Sequence, residues 1–542
     1  MTEAKAPNTA AATPPNTPRP ATSLVIVSNR LPVEGSRDQD GTWHWKRSPG
    51  GLVTALEPVV EASHGVWIGS LGLADEEMEP FETSGETWGK PLTVVPVPLS
   101  EDEIEGYYEG FSNASLWPLY HEVIAPPQFH RDWWESYRAV NRRFADAVAD
   151  VAEPGARVWV QDYQLQLVPR MVRDLRGDLT IGFFDHIPFP PPGIYAQLPW
   201  RRQILEGLLG ADLVGFQRAE DARNFSQTVR RLLGYTVHHG VVETPAGAEF
   251  GGEEIHASLD QSGAFDETTR PVRFGAYPIS IDVSSFASLG RDPEVQARAR
   301  EIRHELGDPK KVLLGVDRLD YTKGIRHRIK AHGELLAEGR IDVEDTVLVE
   351  IAVPSRERVQ TYQDLRDDIE LSISRINGDF STVGHPAINY LHRSLPRREL
   401  AAFYLASDVL LINALRDGMN LVCKEFVATR VDNDGVVVLS EFAGASDELR
   451  QALLINPHDT DGVKAQTLRA LRMPARERRS RMRALRRTVT RNDLQRWTNT
   501  FLGDLDHAAG AARRRVAEAP APASGTDEGG PAHPEGDAHA EH

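Results

Sequence analysis

Two cations five positions apart, Arg318 and Lys323, stand in Val316-Asp-Arg-Leu-Asp-Tyr-Thr-Lys-Gly324, directly after the apolar run Lys311-Val-Leu-Leu-Gly315. Such a run reads as a buried strand, so both side chains would lie beyond its carboxyl end, where open α/β sheets bind ligands. Two cations there suit a diphosphate leaving group, whose developing negative charge they would neutralise. Ion pairing to Asp317 or Asp320 is the alternative use. A second stretch, Leu415-Arg-Asp-Gly-Met-Asn-Leu-Val-Cys-Lys-Glu425, follows the run Asp408-Val-Leu-Leu-Ile412. A helix starting near Gly418 would aim its unbonded first-turn N–H groups at an anion. It would also put Leu421 and Glu425 on one face, with Glu425 placed to accept from ribose hydroxyls. A capped structural helix is the alternative; Asp417, Gly418 and Glu425 occurring together favour function.

Other candidates sit at strand ends in the same way. Arg30 closes the run Leu24-Val-Ile-Val-Ser28 within Ser28-Asn-Arg-Leu-Pro32, and Asp162 follows Arg157-Val-Trp-Val-Gln161. His186 follows Thr180-Ile-Gly-Phe-Phe184, just ahead of the rigid Ile187-Pro-Phe-Pro-Pro-Pro192. Asp162 is suited to binding sugar hydroxyls or to acid–base work. Gly50 and Gly51, before the helical pattern Val53 to Val60, would let backbone N–H groups approach a phosphate, or would form a tight turn. The triplet Asp432-Asn-Asp434 resembles metal-binding and phosphatase aspartate pairs, but those uses need the acids after a strand. Here they precede one, Val436 to Leu439, and Gly435 marks a loop.

These residues need a large scaffold, and the chain supplies one. Its 542 residues suggest two to four domains at ~100–200 residues each. Lys and Arg total 61 against 79 Asp and Glu, a net charge of −18 that argues against a general nucleic-acid binder. One cysteine, Cys423, rules out an internal disulfide framework and a cysteine-built zinc site. No apolar run approaches the ~18 residues of a membrane span, and no hydrophobic signal core opens the chain, so a cytoplasmic protein is expected. Residues 1–22 and 508–542 read as polar tails, the latter acidic. His533, His539 and His542 in the second are read as solvated rather than as a metal site.

Between the tails, short apolar runs alternate with amphipathic stretches of helical length, the pattern of parallel sheets with crossover helices. Asp212-Leu-Val-Gly-Phe216 ends a first series. Val272-Arg-Phe-Gly-Ala276, Thr346-Val-Leu-Val-Glu350 and Gly435-Val-Val-Val-Leu439 belong to a second, with the polar stretch Glu243 to Arg270 between them as loop or hinge. The expected division is an N-terminal Rossmann-like domain over 23–268 and a C-terminal Rossmann-like domain over 269–470. Helices over 471–507 would then cross back to the first domain. Within Arg476 to Phe501, Met482, Leu485 and Val489 recur at helical spacing, which reads as a packed helix rather than a nucleic-acid-binding one.

Taken together, the strings Ser28-Asn-Arg-Leu-Pro32, Leu116-Trp-Pro118, His186-Ile-Pro-Phe-Pro190, Arg318-Leu-Asp-Tyr-Thr-Lys-Gly324, Arg375-Ile-Asn-Gly378 and Leu415-Arg-Asp-Gly-Met-Asn-Leu421 resemble a known family. The sequence is similar to the trehalose-6-phosphate synthases, retaining glycosyltransferases of family 20, over about Leu24 to Leu505. The resemblance implies an α/β GT-B fold, two Rossmann-like domains whose parallel sheets face a central cleft. It implies transfer of glucose from a nucleotide-diphosphate glucose, most often UDP-glucose but also GDP- or ADP-glucose, to glucose 6-phosphate, giving α,α-trehalose 6-phosphate. By the same resemblance Arg30, Tyr108, Trp117, Asp162 and Arg356 match the acceptor site, the two arginines holding the 6-phosphate. Gly50, Gly51, Arg318, Lys323, Leu395 and the run Asp417, Gly418, Met419, Asn420, Leu421, Val422 to Glu425 match the donor site. His186, Arg318, Lys323 and Asp417 match the catalytic set.

No cofactor or essential metal is implied, nor any nucleic-acid or membrane partner; a homo-oligomer is expected by analogy. Some positions depart from the usual pattern. Gln161 and Gln164 stand where histidines are common, Asp185 replaces a leucine and would raise the His186 pKa or turn away, Ser70 replaces a tryptophan, and Ile412-Asn-Ala414 replaces Val-Thr-Pro. A transferase acting on a pseudo-sugar, or a non-catalytic regulatory subunit, is the rival reading.

Overall fold

The structure, a computed structural model, describes residues 22–38, 43–48, 56, 60, 63, 65–83, 91–245 and 269–518. Gly50, Gly51 and the three tail histidines lie outside them. After β1 (Thr22–Arg30) come the hairpin β2 (Val33–Arg37) and β3 (Trp43–Arg47), then β4 (Val66–Ser70), β5 (Phe81–Glu82) and β6 (Thr93–Pro96). They are followed by β7 (Ala152–Gln161), β8 (Thr180–Phe184), β9 (Leu213–Phe216), β10 (Val237–His238), β11 (Val241–Pro245) and β12 (Thr269–Ala276). All but the hairpin form one ten-stranded sheet in the order β10-β11-β12-β9-β8-β7-β1-β4-β6-β5, parallel from β12 to β6. A second, wholly parallel sheet contains β13 (Lys311–Arg318), β14 (Thr346–Val353), β15 (Ile388–Leu391), β16 (Val409–Ile412), β17 (Val436–Ser440) and β18 (Leu453–Ile455). Its order is β15-β14-β13-β16-β17-β18. Val25–Val27, Leu313–Leu314 and Val437–Leu439 are buried throughout, because helices cover both faces of each sheet.

Strand order places the chemistry. In the first sheet the progression reverses between β1 and β7, and in the second between β13 and β16. At such switch points neighbouring connections leave in opposite directions and open a crevice beyond the carboxyl ends. Arg30 and Asp162 stand at the first crevice, Arg318 and the Asn413–Asp417 loop at the second. The second crevice is braced from below by one buried arginine. Arg328 donates to Glu350 on β14 and to Asp317 on β13, at 2.8 and 2.9 Å, and to the Leu411 carbonyl on β16 at 3.0 Å. Gly315 makes room for it: a Cβ there would lie 2.4 Å from both Arg328 Nε and Glu350 Oε2.

Three expected boundaries move. Val272–Ala276 is not the opening strand of the second half: β12 pairs parallel with β9 in the first sheet. The second half therefore begins after Ala276 rather than at residue 269. The two ends of the stretch read as loop or hinge, Glu243–Pro245 and Thr269–Arg270, are antiparallel partners within the first sheet and so do not lead from one half to the other, while residues 246–268 lie outside the described residues. The C-terminal tail does not start at Ala508, because the helix Leu494–Glu518 runs on through it, with Ala508 and Ala509 buried. At the other end, Thr22 already belongs to β1. Met482, Leu485 and Val489 are buried in the helix Ala475–Arg491, as expected of a packed helix. No helix among the described residues is long and apolar enough to cross a membrane.

The last helix returns to the first sheet and packs on its face. Phe501 stacks on Trp159 of β7 with centroids 4.7 Å apart and meets Phe184 of β8 edge-on at 5.7 Å. Flat strands are needed there: a Cβ on Gly182 or Gly215 would lie 2.9 or 2.6 Å from the Phe501 ring. Phe501→Ala is expected to cost about 3–5 kcal/mol through the cavity it opens. A thermal unfolding midpoint equal to that of the parent protein would contradict this packing role.

Candidate active site

The second crevice carries an unpaired cation and a paired one. Arg318, at the exposed end of β13, has no ion-pair partner among the described residues, because Asp317 is held by Arg328 and Asp320 by Arg356 at 2.7 Å. Lys323 is buried, and its Nζ donates to Asp417 Oδ2 at 2.7 Å. Burial alone would raise the Asp417 carboxyl, but Lys323 and the amide of Asn420 outweigh it and hold the group below the usual carboxylate range. The helix expected from Gly418 starts later, at Leu421. Asn420 occupies its N-cap in a left-handed conformation, φ 82°, and its Oδ1 accepts from the Cys423 N–H. The Leu421 and Val422 amides of the first turn are thereby left without an intrahelical acceptor, next to Met419. Further along, Glu425 accepts from the Tyr404 hydroxyl at 2.8 Å, and burial pushes its pKa up to about 7. Leu395 is half-buried ahead of the helix Arg397–Ala406.

The first crevice supplies the opposite wall. Arg30 is exposed at the end of β1, reaches the Leu71 carbonyl at 3.3 Å, and lies 5.5 Å from the centre of the Tyr108 ring. Gly72 beneath it has φ 75°, a conformation that favours glycine, and a Cβ there would fall 0.7 Å from Arg30 Nη1, so the guanidinium would have to move aside. Tyr108 projects from Ile104–Leu116, a helix wound with i→i+5 bonds whose wider turn ends where the Trp117 N–H meets the Ser112 carbonyl. Trp117 gathers groups from both halves. The Arg356 guanidinium lies 3.8 Å from its ring centre and that of Arg318 5.4 Å, while the His121 ring lies tilted against it with centroids 4.1 Å apart. Its indole N–H is buried and has no partner among the described residues.

Asp162 and His186 complete the floor. Asp162 has a left-handed φ of 73°, its Oδ1 accepts from the His186 N–H at 3.2 Å, and burial raises its pKa to about 6 despite Arg318 and Arg356 nearby. Burial also lowers His186 to about 3, so its ring is neutral. Nε2 of that ring is 2.9 Å from Gln161 Oε1 and Nδ1 is 3.5 Å from the Gln217 amide. The glutamine that replaces a common histidine thus takes an N–H from His186. Of the two readings of Asp185, raising the imidazole's pKa does not hold, since burial lowers His186. Asp185 is itself buried, with Oδ2 unpartnered among the described residues, and desolvation pushes its carboxyl well above the usual carboxylate range. Ser70 donates to the Asn29 carbonyl, and Asn413 is buried with its amide unpartnered.

Arg30, Tyr108, Trp117, Asp162, His186, Arg318, Lys323, Arg356 and Asp417 therefore come together, while Gly50 and Gly51 lie outside the described residues. Arg356, expected to hold the 6-phosphate, is already engaged within the protein. Its side chain is 4% exposed, bonded to Asp320 and to the Tyr163 and Tyr362 hydroxyls, with Nε unpartnered. Sequence reasoning missed Asp320, Tyr163, Tyr362 and His121. Only the acid in the Arg318–Gly324 string carried a signal, and it was read as a possible partner of Arg318. Asp432 and Asp434 form ion pairs with Arg430 and Arg478, as suits a loop.

Comparison with known proteins gives a consistent answer. The model for glycosyltransferase family 20 matches residues 22–507. A trehalose-6-phosphate synthase of Mycolicibacterium paratuberculosis is 54% identical over 482 residues, covering 89% of this chain and 95% of the relative. The fold superposes on an α,α-trehalose-phosphate synthase (UDP-forming) from Burkholderia xenovorans in complex with glucose 6-phosphate, with TM-score 0.77 and 32% identity over 89% of this chain and 100% of the other. It superposes equally on an E. coli trehalose-6-phosphate protein bound with UDP-2-fluoro glucose, with TM-score 0.77 and 33% identity over 89% and 98% of the two chains.

The raised Glu425 pKa has a testable sign. An acid that binds its proton more tightly when folded stabilises the protein below its ordinary value of 4.5, and that contribution is lost as pH rises through about 7. Relative to the parent, Glu425→Gln should gain melting temperature on going from about pH 5 to about pH 8. A difference that stays flat, or moves against the variant, would contradict the assignment.

Proposed function

The chain belongs to glycosyltransferase family 20 and is a glycosyltransferase, a trehalose-6-phosphate synthase; from that premise we propose that it moves glucose from UDP-glucose to glucose 6-phosphate with retention at the donor's anomeric carbon. The observation that carries the reading is the unpaired Arg318 beside the Lys323–Asp417 pair, facing Trp117 and Asp162 across the cleft. Binding of UDP-2-fluoro glucose and of glucose 6-phosphate by the two similar structures supports the choice of substrates.

In this reading Arg318, Lys323 and the Leu421 and Val422 amides take the charge of the departing UDP, with no metal required. Glu425 accepts from the ribose, and Leu395 and Met419 line the nucleotide. Asp417, Gly418 and Asn420 hold the transferred glucose from one side and His186 from the other. Arg30 and Arg356 bind the 6-phosphate, with Asp320 keeping Arg356 in place until phosphate arrives. Tyr108, Trp117 and Asp162 orient the acceptor ring.

Retention follows from attack on the face the diphosphate leaves. The bond from C1 to the phosphate oxygen breaks, the bond from C1 to the acceptor oxygen forms, and the acceptor's proton passes to the departing phosphate oxygen. His186 suits this scheme, because both of its nitrogens are engaged and its ring stays neutral near pH 7.

The test is nucleoside-diphosphate release from UDP-, GDP- and ADP-glucose in EDTA, with and without glucose 6-phosphate. UDP release that requires the acceptor and yields an α,α-linked disaccharide phosphate is expected, and Arg318→Gln should lower kcat by about 10²–10³. Release only after a divalent metal is restored, or none from any donor, would overturn the proposal.

A further inference from the structure

One buried arginine in the catalytic loop is used by none of these steps. Arg416 precedes Asp417, is 6% exposed, and reaches from the second half into three carboxylates of the first. Its Nη2 lies 3.2 Å from Glu122 and 3.8 Å from Asp221, and its Nη1 lies 3.7 Å from Glu220. Asp221 is fully buried and fixed by the N–H groups of Phe189 and Arg218. Glu122 and the following Val123 hold left-handed backbone angles, φ 59° and 61°, just past the turn that carries Trp117. Such angles are costly for a β-branched residue and persist where the surroundings impose them. A crossed pair sits alongside: Arg218 of the first half donates twice to Asp447 of the second, at 2.8 and 3.0 Å.

The loop bearing Arg416 has no slack. The Leu415 N–H is bonded to the Thr322 carbonyl at 2.7 Å, the Asp417 N–H to Phe442 at 3.2 Å, and the Met419 carbonyl to the Ala445 N–H at 2.8 Å. Gly418 lies flush against the first half, where a Cβ would sit 2.3 Å from the His186 carbonyl. A movement of the Arg416 backbone is therefore passed to Asp417 and Gly418.

We propose that Arg416 is a positioning residue, a latch that meets Glu122, Glu220 and Asp221 only when the two halves are together and so sets Asp417 and the Gly418 backbone against the first-half wall for transfer. The latch acts by charge more than by directed hydrogen bonds, since Nε and Nη2 of Arg416 have no partner at hydrogen-bond geometry among the described residues. The role rests on the transferase reading, but it is separable from substrate binding. Arg318 and Lys323 lie in the second half alone, so nucleoside diphosphate should bind without the latch.

The experiment compares full-length Arg416→Gln, Arg416→Lys and Glu122→Gln with the parent, reading kcat for transfer, UDP affinity by calorimetry and melting temperature. Arg416→Gln should lose about 100-fold in kcat, as expected of an ångström-scale misplacement, while UDP affinity stays within about threefold. Arg416→Lys should regain roughly tenfold, because a point charge suffices. Parent-like kcat in Arg416→Gln, or kcat and UDP affinity falling in step, overturns the latch. Should Arg416→Gln not fold, Glu122→Gln decides instead: a severalfold lower kcat at unchanged melting temperature is expected, and an unchanged kcat refutes. A parent protein that binds UDP yet transfers nothing would overturn the transferase reading, and the latch with it.

Discussion

A lysine and an aspartate 2.7 Å apart, Lys323 and Asp417, join the two loops that leave the second sheet at its switch point. Each is almost completely buried, with side chains 11% and 13% exposed, so either charge alone would be expensive to keep there. Together they keep the carboxylate ionised and fix the separation of the loops beyond β13 and β16. Arg328 secures the same strands from below, through Asp317, Glu350 and the Leu411 carbonyl. The crevice is thus braced on both levels before any ligand enters.

The two halves contribute unlike chemistry to one cleft. The second half offers Arg318, Lys323 and first-turn amides, a set that favours negative charge. The first half offers Trp117, Tyr108 and Asp162, suited to a sugar ring and its hydroxyls. Trp117 lies at the seam, since Arg356 and Arg318 of the second half both approach its ring. Cation–π contacts of this kind are worth about 0.5–2 kcal/mol, which suits an interface that must also open.

Much of this was legible in the sequence. The runs at Leu24, Arg157, Lys311 and Asp408 are apolar on both faces, as parallel strands must be, so the residues just after them could be placed at strand ends. Pairings that depend on register between distant segments were not legible. Nothing in the chain order shows that β12 returns to β9, and the polar insertion between β11 and β12 resembles a linker because its paired ends are short. The junction at Ala508 was misread since its alanines have helix propensity that only burial against the first sheet makes decisive. Arg356 was found through resemblance, but its burial against Asp320 depends on packing between loops 36 residues apart. The Arg416 cluster is invisible in one dimension because its acids come from two separate segments of the other half.

In the proposed transfer Lys323 and Asp417 act as one catalytic unit, and a double-mutant cycle on kcat for glucosyl transfer tests that most directly. Lys323→Met and Asp417→Asn should each cost at least about 100-fold, and the double variant should be no worse than the poorer single, because groups acting as a unit are strongly non-additive. Losses that multiply in the double variant would show the two side chains acting independently and would contradict the account.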